Sequence, residues 1–416
     1  MSVLSGKKIL LGISGGIAAY KTASLVRLFI KAGAHVQVIM TPASKDFITP
    51  LTLATLSKNP VYSSFYKQDD NPDLQGEGAQ QNEKEWNNHV ELALWADLMV
   101  IAPATANTLS KMVKGTCDNL LIAAYLSAKC PVYYAPAMDL DMYKHPSTIA
   151  NFFSLTQFGD TIIPAESGEL ASGLSGEGRM AEPEHIVAFI EADLESRLPL
   201  KGKKILITAG PTYEAIDPVR FIGNHSSGKM GFDIASSAAN LGASVLLVAG
   251  PTHCKVSHPL IKVIPVISAQ EMYDACHLYY ADVDVVIAAA AVADYKPKQA
   301  ASQKIKKNAE DFTIELEKTK DILASLGQSK KNQFLIGFAL ETENEIENAK
   351  LKIQKKNLDL IVLNSLQDQG AGFGKATNKV TFIDKFFTIE AMELKSKEAV
   401  ADDILNKVMA HFYQMS

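Results

Sequence analysis

Cysteine is scarce in this chain, with only Cys117, Cys130, Cys254 and Cys276 among 416 residues. None stands at metal-ligand spacing, and so few in so long a chain point to reduced thiols rather than a disulfide framework. A positive excess is missing as well. The formal net charge is −5, whereas a general binder of nucleic acid or membrane surfaces needs a basic face. No apolar run approaches the ~18 residues of a membrane-spanning helix. The opening MSVLSGKKILLGISGG turns glycine-rich too early for a secretory signal. After the first apolar run there is no G-x-G-x-x-G, so a dinucleotide fingerprint is unsupported. These absences leave a cytoplasmic, soluble α/β protein as the expectation.

What is present is a repeated opening. Residues 6–15 read GKKILLGISG and residues 202–211 read GKKILITAGP. In each half helical sequence follows, then a second strand-like run, 33–41 and 242–250. Strand, glycine turn, helix, strand begins a doubly wound parallel sheet. Further strand-like runs fall at 97–102, 131–136, 284–291, 334–339 and 359–364. With 47% hydrophobic and 21% charged residues, the chain suits two tandem doubly wound α/β domains. The charged, Pro199-containing stretch 191–201 marks their boundary, giving domains 1–190 and 191–416. Residues 67–88 are polar and aperiodic; they read as a solvated loop or as a mobile lid running into His89.

Two stretches invite a phosphate reading. Ser14, Gly15 and Gly16 lead from a strand into a helix and could cradle one phosphate on backbone N–H groups. Equally, the glycines could serve turn geometry alone. Residues 223–231, GNHSSGKMG, fit GxxxxGK[ST] until Met230, which cannot coordinate magnesium. A true phosphate-binding loop joins strand directly to helix, whereas here thirteen residues, PTYEAIDPVRFIG, follow the strand. The match is therefore false for that class. Asn224, His225, Ser226 and Ser227 still precede a helix, either as an anion site or as a simple cap with Ser226 or Ser227 at the N-cap. Lys304, Lys306 and Lys307 form a basic cluster. Lys318 and Lys320 add charge, and Lys352 and Lys356 share a helix face.

Taken together, SGGIAAYK, the His89 of HVEL, APATANT, KGTCDNLL, PAM-x3-M and SGEGRM resemble the flavin-containing cysteine decarboxylases. With the second half included, the chain resembles the bifunctional bacterial coenzyme A biosynthesis proteins from about residue 6 to past residue 400. In these a phosphopantothenoylcysteine decarboxylase is fused to a phosphopantothenate–cysteine ligase. The resemblance implies a flavodoxin-like first domain that binds FMN and trimerises with the flavin near a subunit boundary. FMN would oxidise the cysteine thiol of 4′-phosphopantothenoylcysteine, CO2 would leave, and reduction of the enethiol would yield 4′-phosphopantetheine. It implies His89 as the active-site base, with Ser14, Gly15, Gly16, Thr41, Thr105 and Asn107 around FMN. Two positions depart from the pattern. Asp139 stands where many members have asparagine; when ionised it is acceptor-only and would repel the substrate carboxylate, unless it is protonated or a Lys or Arg lies nearby. Ser172 replaces a cysteine that protonates the enethiol, on a segment, 168–180, expected to act as a flap.

In the second half TAGPT, DPVRFIGNHSSGKMG, AAAVADY, KIKK and KKNLDLIVLN carry the resemblance. It implies a Rossmann-like ligase that activates 4′-phosphopantothenate with CTP, magnesium being held by the triphosphate. The acyl-cytidylate is then attacked by the amine of cysteine. CTP contacts would come from Ala289, Ala290, Asp294, Lys304, Lys318, Thr319, Lys320, Phe338, Lys352 and Lys356, with Asn224 holding the acyl-cytidylate. Lys304 would steady departing pyrophosphate. Ligase domains would pair as dimers, joining decarboxylase trimers into a closed homo-oligomer. Two further readings stay open: a ligase whose flavin domain stalls at the enethiol, and a first domain that is a flavoprotein binding or regulatory module.

Overall fold

The computed structural model describes residues 2–66, 86–306, 313–341, 343–365, 375 and 377–413. Lys307 and residues 67–85 of the polar stretch lie outside the described residues. The chain divides into two units, Met1–Ser196 and Arg197–Ser416. The helix Pro183–Ser196 carries the first unit past residue 190, because its Ile186, Val187 and Ile190 are buried in that unit's core.

In the first unit the strands are β1 (Lys8–Ile13), β2 (His35–Met40), β3 (Val61–Tyr62), β4 (Leu98–Ala104), β5 (Val132–Pro136) and β6 (Thr161–Ile162). They form one sheet in the order β3-β2-β1-β4-β5-β6, every pair parallel. β1 and β4 are apolar along nearly their whole length because helices cover both faces of such a sheet. On one face the helix Thr22–Lys31 buries Leu25, Val26 and Phe29 with Ile186 and Ile190. Each such side chain contributes about 1.5–3 kcal/mol on burial. Leu109, Met112, Leu121 and Leu155 close the other face. A separate antiparallel hairpin, β7 (Glu166–Glu169) and β8 (Ser175–Arg179), stands over the strand ends. It docks through Met138, whose N–H donates to the Gly178 carbonyl at 3.0 Å. Gly178 has φ +138°, and a Cβ there would lie 2.4 Å from the Met138 oxygen, so only glycine permits this approach.

The second unit repeats the plan. Its strands are β9 (Lys204–Ala209), β10 (Tyr213–Ala215), β11 (Phe221–Gly223), β12 (Ser244–Ala249), β13 (Ile261–Pro265), β14 (Val285–Ala288), β15 (Tyr295–Pro297), β16 (Leu316–Lys318), β17 (Phe334–Glu341), β18 (Leu360–Ser365), β19 (Thr377–Asn378), β20 (Val380–Asp384), β21 (Ile389–Ala391) and β22 (Lys395–Ser396). The main sheet runs β13-β12-β9-β14-β17-β18-β20-β21. It is parallel through β18, and the last two strands are antiparallel. Counted within each unit, the parallel strands follow one order, third-second-first-fourth-fifth-sixth. The crevices of such sheets open where the chain changes direction, between β1 and β4 and between β9 and β14. The strand expected over 284–291 stops at Ala288, because Ala291 turns to donate to the Gly210 carbonyl at 2.9 Å.

Candidate active sites

The first unit's crevice holds a cavity of about 510 Å3. Gly15 follows β1, Thr41 and Ala43 follow β2, Thr105 and Asn107 follow β4, and Met138 follows β5; all line it. The turns press together, since a Cβ on Gly15 would lie 2.7 Å from the Ala43 Cβ and 2.9 Å from its carbonyl carbon. The helix Ala106–Lys114 begins at this cavity with no side-chain cap, so its first N–H groups are left for an anion. At the rim Lys111 bonds Asp118 at 2.6 Å and thereby lowers the carboxyl's pKa. Ser14 departs from expectation. Its buried hydroxyl donates to the Pro103 carbonyl at 2.6 Å and accepts from the Thr105 N–H at 3.0 Å, so it ties the β1 and β4 turns together and does not line this cavity. Four of the six expected cofactor positions, Gly15, Thr41, Thr105 and Asn107, share the cavity.

Gly16 lines an adjoining cavity of about 350 Å3 that shares Ala137 and Met138 with the first. Asp139, Lys21 and Arg179 line it, with Glu169, Leu170 and Ala171 from the hairpin. Lys21 is buried and held by the Met180 carbonyl at 3.1 Å and by Glu182 at 2.9 Å. Arg179 bonds Glu182 through Nη2 at 2.6 Å. Sequence reading missed Arg179 as a candidate; its place in SGEGRM carried no signal until the hairpin folded it over Asp139. Ser172 sits exposed at the hairpin tip, where its hydroxyl accepts from Leu174 N–H at 3.4 Å, and it lines neither cavity. His89 is the first residue of the helix His89–Trp95, packed edge-on against Trp86 at 5.6 Å and Phe65 at 6.3 Å. Its Nδ1 is buried without a hydrogen-bond partner, and it lines neither cavity.

In the second unit a cavity of about 470 Å3 lies beyond β9, β14 and β17. Ala290, Asp294, Lys318, Thr319, Lys320, Phe338 and Lys356 line it. Thr319 is fixed by two bonds into the AAAVADY turn, from its hydroxyl to the Ala293 carbonyl at 2.6 Å and from its N–H to the Asp294 carbonyl at 3.0 Å. Lys356 pairs with Asp321 at 2.9 Å. Although burial pushes the Asp321 carboxyl up, Lys356 and the Ala324 N–H outweigh it and hold the pKa low. Lys352, on the same helix, is paired with Glu341 and does not line the cavity. A smaller cavity of about 170 Å3 shares Ala290 and Phe338 with it and adds Ala289, Ser226, Ser227, Gly228, Asn364, Asn378 and Lys397.

The helix after GNHSSGKMG is Lys229–Asn240. Its N-cap is Gly228 at φ +81°, not a serine. Ser226 and Ser227 instead accept from the N–H groups of Gly228 and Lys229, at 3.3 and 3.4 Å. Lys229, which also lines the smaller cavity, pairs with Asp233 and Glu398, and Met230 packs on the core. Gly223 belongs to β11, so the triphosphatase-like match has no loop behind it. Asn224 donates to the carbonyls of Ala291 and Val292 at 3.0 and 3.3 Å, leaving its oxygen rather than its amide nitrogen free. Lys304 is exposed and lines neither cavity. The next residue, Ile305, donates its N–H to Asp217 at 3.2 Å. Asp217, which sequence reading passed over, also accepts from the N–H groups of Val219 and Arg220 at 2.8 Å each, so it ties the segment carrying Lys304 to the 217–223 turn. Among the described residues no group of three His, Cys, Asp or Glu side chains could hold a metal, and no helix is long and apolar enough to cross a membrane.

The flavoprotein family matches residues 2–195, and the C-terminal domain of the DNA/pantothenate metabolism flavoproteins matches residues 200–412. The fold and its crevices thus define a flavoprotein domain followed by a pantothenate-metabolism domain. The chain is 43% identical to the coenzyme A biosynthesis bifunctional protein CoaBC of Bacillus subtilis over 410 residues, 98% of each chain. It is 52% identical to a cysteine/cysteine sulfinic acid decarboxylase of an unknown prokaryotic organism over 367 residues, 87% of this chain and 99% of that one. A crystal structure of a CoaBC C-terminal domain, 44% identical, covers 52% of this chain and 99% of its own with a TM-score of 0.45. The chain belongs to the family of bifunctional coenzyme A biosynthesis proteins.

Proposed function

We propose that the protein makes 4′-phosphopantetheine from 4′-phosphopantothenate, cysteine and CTP in two steps. The reading is carried by one observation. Each unit of this family member opens a cavity at the carboxyl ends of its first and fourth parallel strands, lined by residues that the family resemblance names. In the second unit, Lys318, Lys320 and Lys356 supply cations for CTP, and its magnesium ion is held by the triphosphate. The backbone around Ala289 and Ala290 gives a flat wall for the ring. Asn224 holds the acyl-cytidylate once its amide N–H groups turn from the Ala291 and Val292 carbonyls to donate to it, and Lys304, tied through Ile305 to Asp217, comes over the departing pyrophosphate.

In the first unit, Gly15, Thr41, Thr105, Asn107 and the uncapped helix at Ala106 fit FMN, the phosphate taking the helix N–H groups. Bound FMN supplies the two-electron oxidation of the substrate thiol that turns the carboxylate into a leaving group, and the reduction that follows. The cavity behind Met138 receives the cysteine end of 4′-phosphopantothenoylcysteine, with the β7–β8 hairpin excluding water. His89 serves as base from a neighbouring subunit of a trimer, in keeping with its distance from its own chain's cavities. With ligase domains pairing as dimers, the trimers join into a closed assembly.

The test supplies the purified protein anaerobically with 4′-phosphopantothenoylcysteine and follows products by mass spectrometry. Accumulation of 4′-phosphopantetheine over many turnovers is expected; enethiol alone, with one equivalent of reduced flavin, would refute the full cycle. A second reading draws on Asp139 and on the relative named for cysteine and cysteine sulfinic acid. A carboxylate beside Arg179 suits the ammonium and carboxylate of a free amino acid. CO2 release from free cysteine or cysteine sulfinate, and none from the acylated substrate, would favour it.

A further inference from the structure

Three lysines line the 470 Å3 cavity of the second unit, Lys318, Lys320 and Lys356. Lys356 is paired with Asp321 at 2.9 Å. Lys320 is exposed, and among the described residues its ammonium has no hydrogen bond and no ion pair. The carboxylates around it are engaged elsewhere, Asp321 by Lys356 and Asp274 by the Gln270 amide at 2.7 Å. The Lys320 ammonium instead lies 4.7 Å from the centre of the Tyr273 ring, inside the ~6 Å reach of a cation–π contact.

Tyr273 does not itself line the cavity. It stands half-buried on the helix Ala269–Tyr280, and its ring is fixed at two points. Its hydroxyl is 3.0 Å from the Ser325 hydroxyl, on the helix Ile322–Gln328. The His277 ring, one turn further along the same helix as Tyr273, packs beside it with centroids 4.2 Å apart. Ser325 also bonds His277 Nε2 at 3.0 Å, so its one proton serves one partner while its oxygen accepts from the other. Burial, with Lys320 adding to it, pushes the His277 pKa down against the pull of Asp274, so the imidazole stays neutral beside the lysine. The backbone at Lys320 is fixed as well. Thr319 before it is tied twice into the AAAVADY turn, and Asp321 after it caps the helix Ile322–Gln328 by accepting from the Ala324 N–H at 3.0 Å.

We propose that Tyr273 is a positioning residue of the ligase unit: its ring, braced by Ser325 and His277, holds the Lys320 ammonium at the cavity for the triphosphate of the nucleotide. The inference rests on the reading of this unit as a CTP-using ligase and adds how one of its cations is held. A carboxylate in the same place would offset the charge and compete with phosphate for the ammonium. A ring orients the cation and leaves its N–H groups to the ligand. The long side chain then has less rotamer freedom to lose on binding, which is how preorganisation raises affinity.

The full-length protein and its Tyr273→Leu, Tyr273→Phe, Lys320→Gln and doubly substituted Tyr273→Leu/Lys320→Gln variants are titrated calorimetrically with CTP and magnesium. Steady-state pyrophosphate release with 4′-phosphopantothenate is measured in parallel. Tyr273→Leu is expected to weaken CTP binding about two- to fivefold, the worth of an exposed cation–π contact. KM for CTP should rise in step, with kcat and KM for 4′-phosphopantothenate unchanged. Tyr273→Phe keeps the ring and loses only the Ser325 bond, so it should recover most of the affinity. Lys320→Gln, an exposed change that spares the fold, should cost at least as much as Tyr273→Leu, and adding Tyr273→Leu to it should cost nothing more. An unchanged Kd in Lys320→Gln or in Tyr273→Leu overturns the proposal. So does a Tyr273→Leu effect of equal size with and without Lys320, which is the mark of a packing role. A wild type that binds no CTP refutes both this proposal and the ligase reading. One that binds CTP but releases no pyrophosphate refutes the ligase reading alone, and the expected series of Kd values then still establishes Tyr273 as the residue that positions Lys320.

Discussion

Substituting Gly15 by alanine places a methyl group where the loops after β1 and β2 touch. The new Cβ would sit 2.7 Å from the Ala43 Cβ, 2.9 Å from its carbonyl carbon and 3.0 Å from its oxygen. Two of those three atoms are backbone, so no side chain can swing aside. The Ala43 loop is itself pinned, with Thr41 N–H donating to the Ile13 carbonyl at 2.9 Å and the Ser44 hydroxyl donating to the Thr41 carbonyl at 2.7 Å. Overpacking of this kind costs about 1–3 kcal/mol. For a unit of this size that lowers the melting temperature by about 2–12 °C. Moving the loop outward relieves the strain but opens the wall of the 510 Å3 cavity. Flavin binding must then restore the strained position, weakening it about 5- to 150-fold. Gly16→Ala is the matched control, because its Cβ meets only the Thr105 methyl at 3.3 Å. Flavin fluorescence quenching gives Kd, and calorimetry resolves the unfolding transitions of the two units. Wild-type Kd and melting temperature in Gly15→Ala would refute the argument that this approach shapes the cofactor cavity.

Four further outcomes follow from the geometry. Lys356→Gln removes a charged donor from the 470 Å3 cavity; at about 1.5–3 kcal/mol for such a bond, KM for CTP should rise about 10- to 150-fold. Its half-exposed partner Asp321 means little change in melting temperature, and an unchanged KM would remove Lys356 from the nucleotide site. Asp139→Asn should raise kcat/KM for the acylated substrate and lower it for free cysteine; the opposite pattern in a CO2 assay contradicts the charge argument. The Asp217 carboxyl would be pushed up by burial, but the N–H groups of Val219, Arg220 and Ile305 hold its pKa below the usual carboxylate range. A depressed folded pKa stabilises above the unfolded value, about 3.9, and that stability is lost as pH falls through the folded one. Asp217→Asn should therefore melt lower than the wild type at neutral pH, with the gap closing below about pH 4; a pH-independent gap would show that ionisation is not involved. Arg179→Gln should raise KM for the decarboxylase substrate without altering pyrophosphate release by the ligase, and equal KM values would exclude it from the substrate cavity.

Both sheets were legible because a parallel strand covered on two faces must be apolar along its length, so GKKILLGIS and GKKILITAG announce first strands without any knowledge of their neighbours. The glycine turns could be placed for the same reason. Whether a turn residue faces a ligand could not, since Ser14 and Thr105 look alike in sequence. Only the register of β1 against β4 shows that the Ser14 hydroxyl is spent on Pro103 and Thr105. The triphosphatase-like motif failed through context that was legible: Gly223 lies within a strand pairing, and Lys229 is already paired with two carboxylates. Lys397 shows the limit. Nothing in KSKEAV separates it from an ordinary lysine at a helix start, and its burial comes from residues about 170 positions earlier. The packing of the helix Lys397–Tyr413 against Lys229–Asn240 buries Val400, Ala401 and Ile404 in one core with Phe232, Ile234 and Ala235. That packing brings two helix N-termini to one cavity and strips water from the lysine between them.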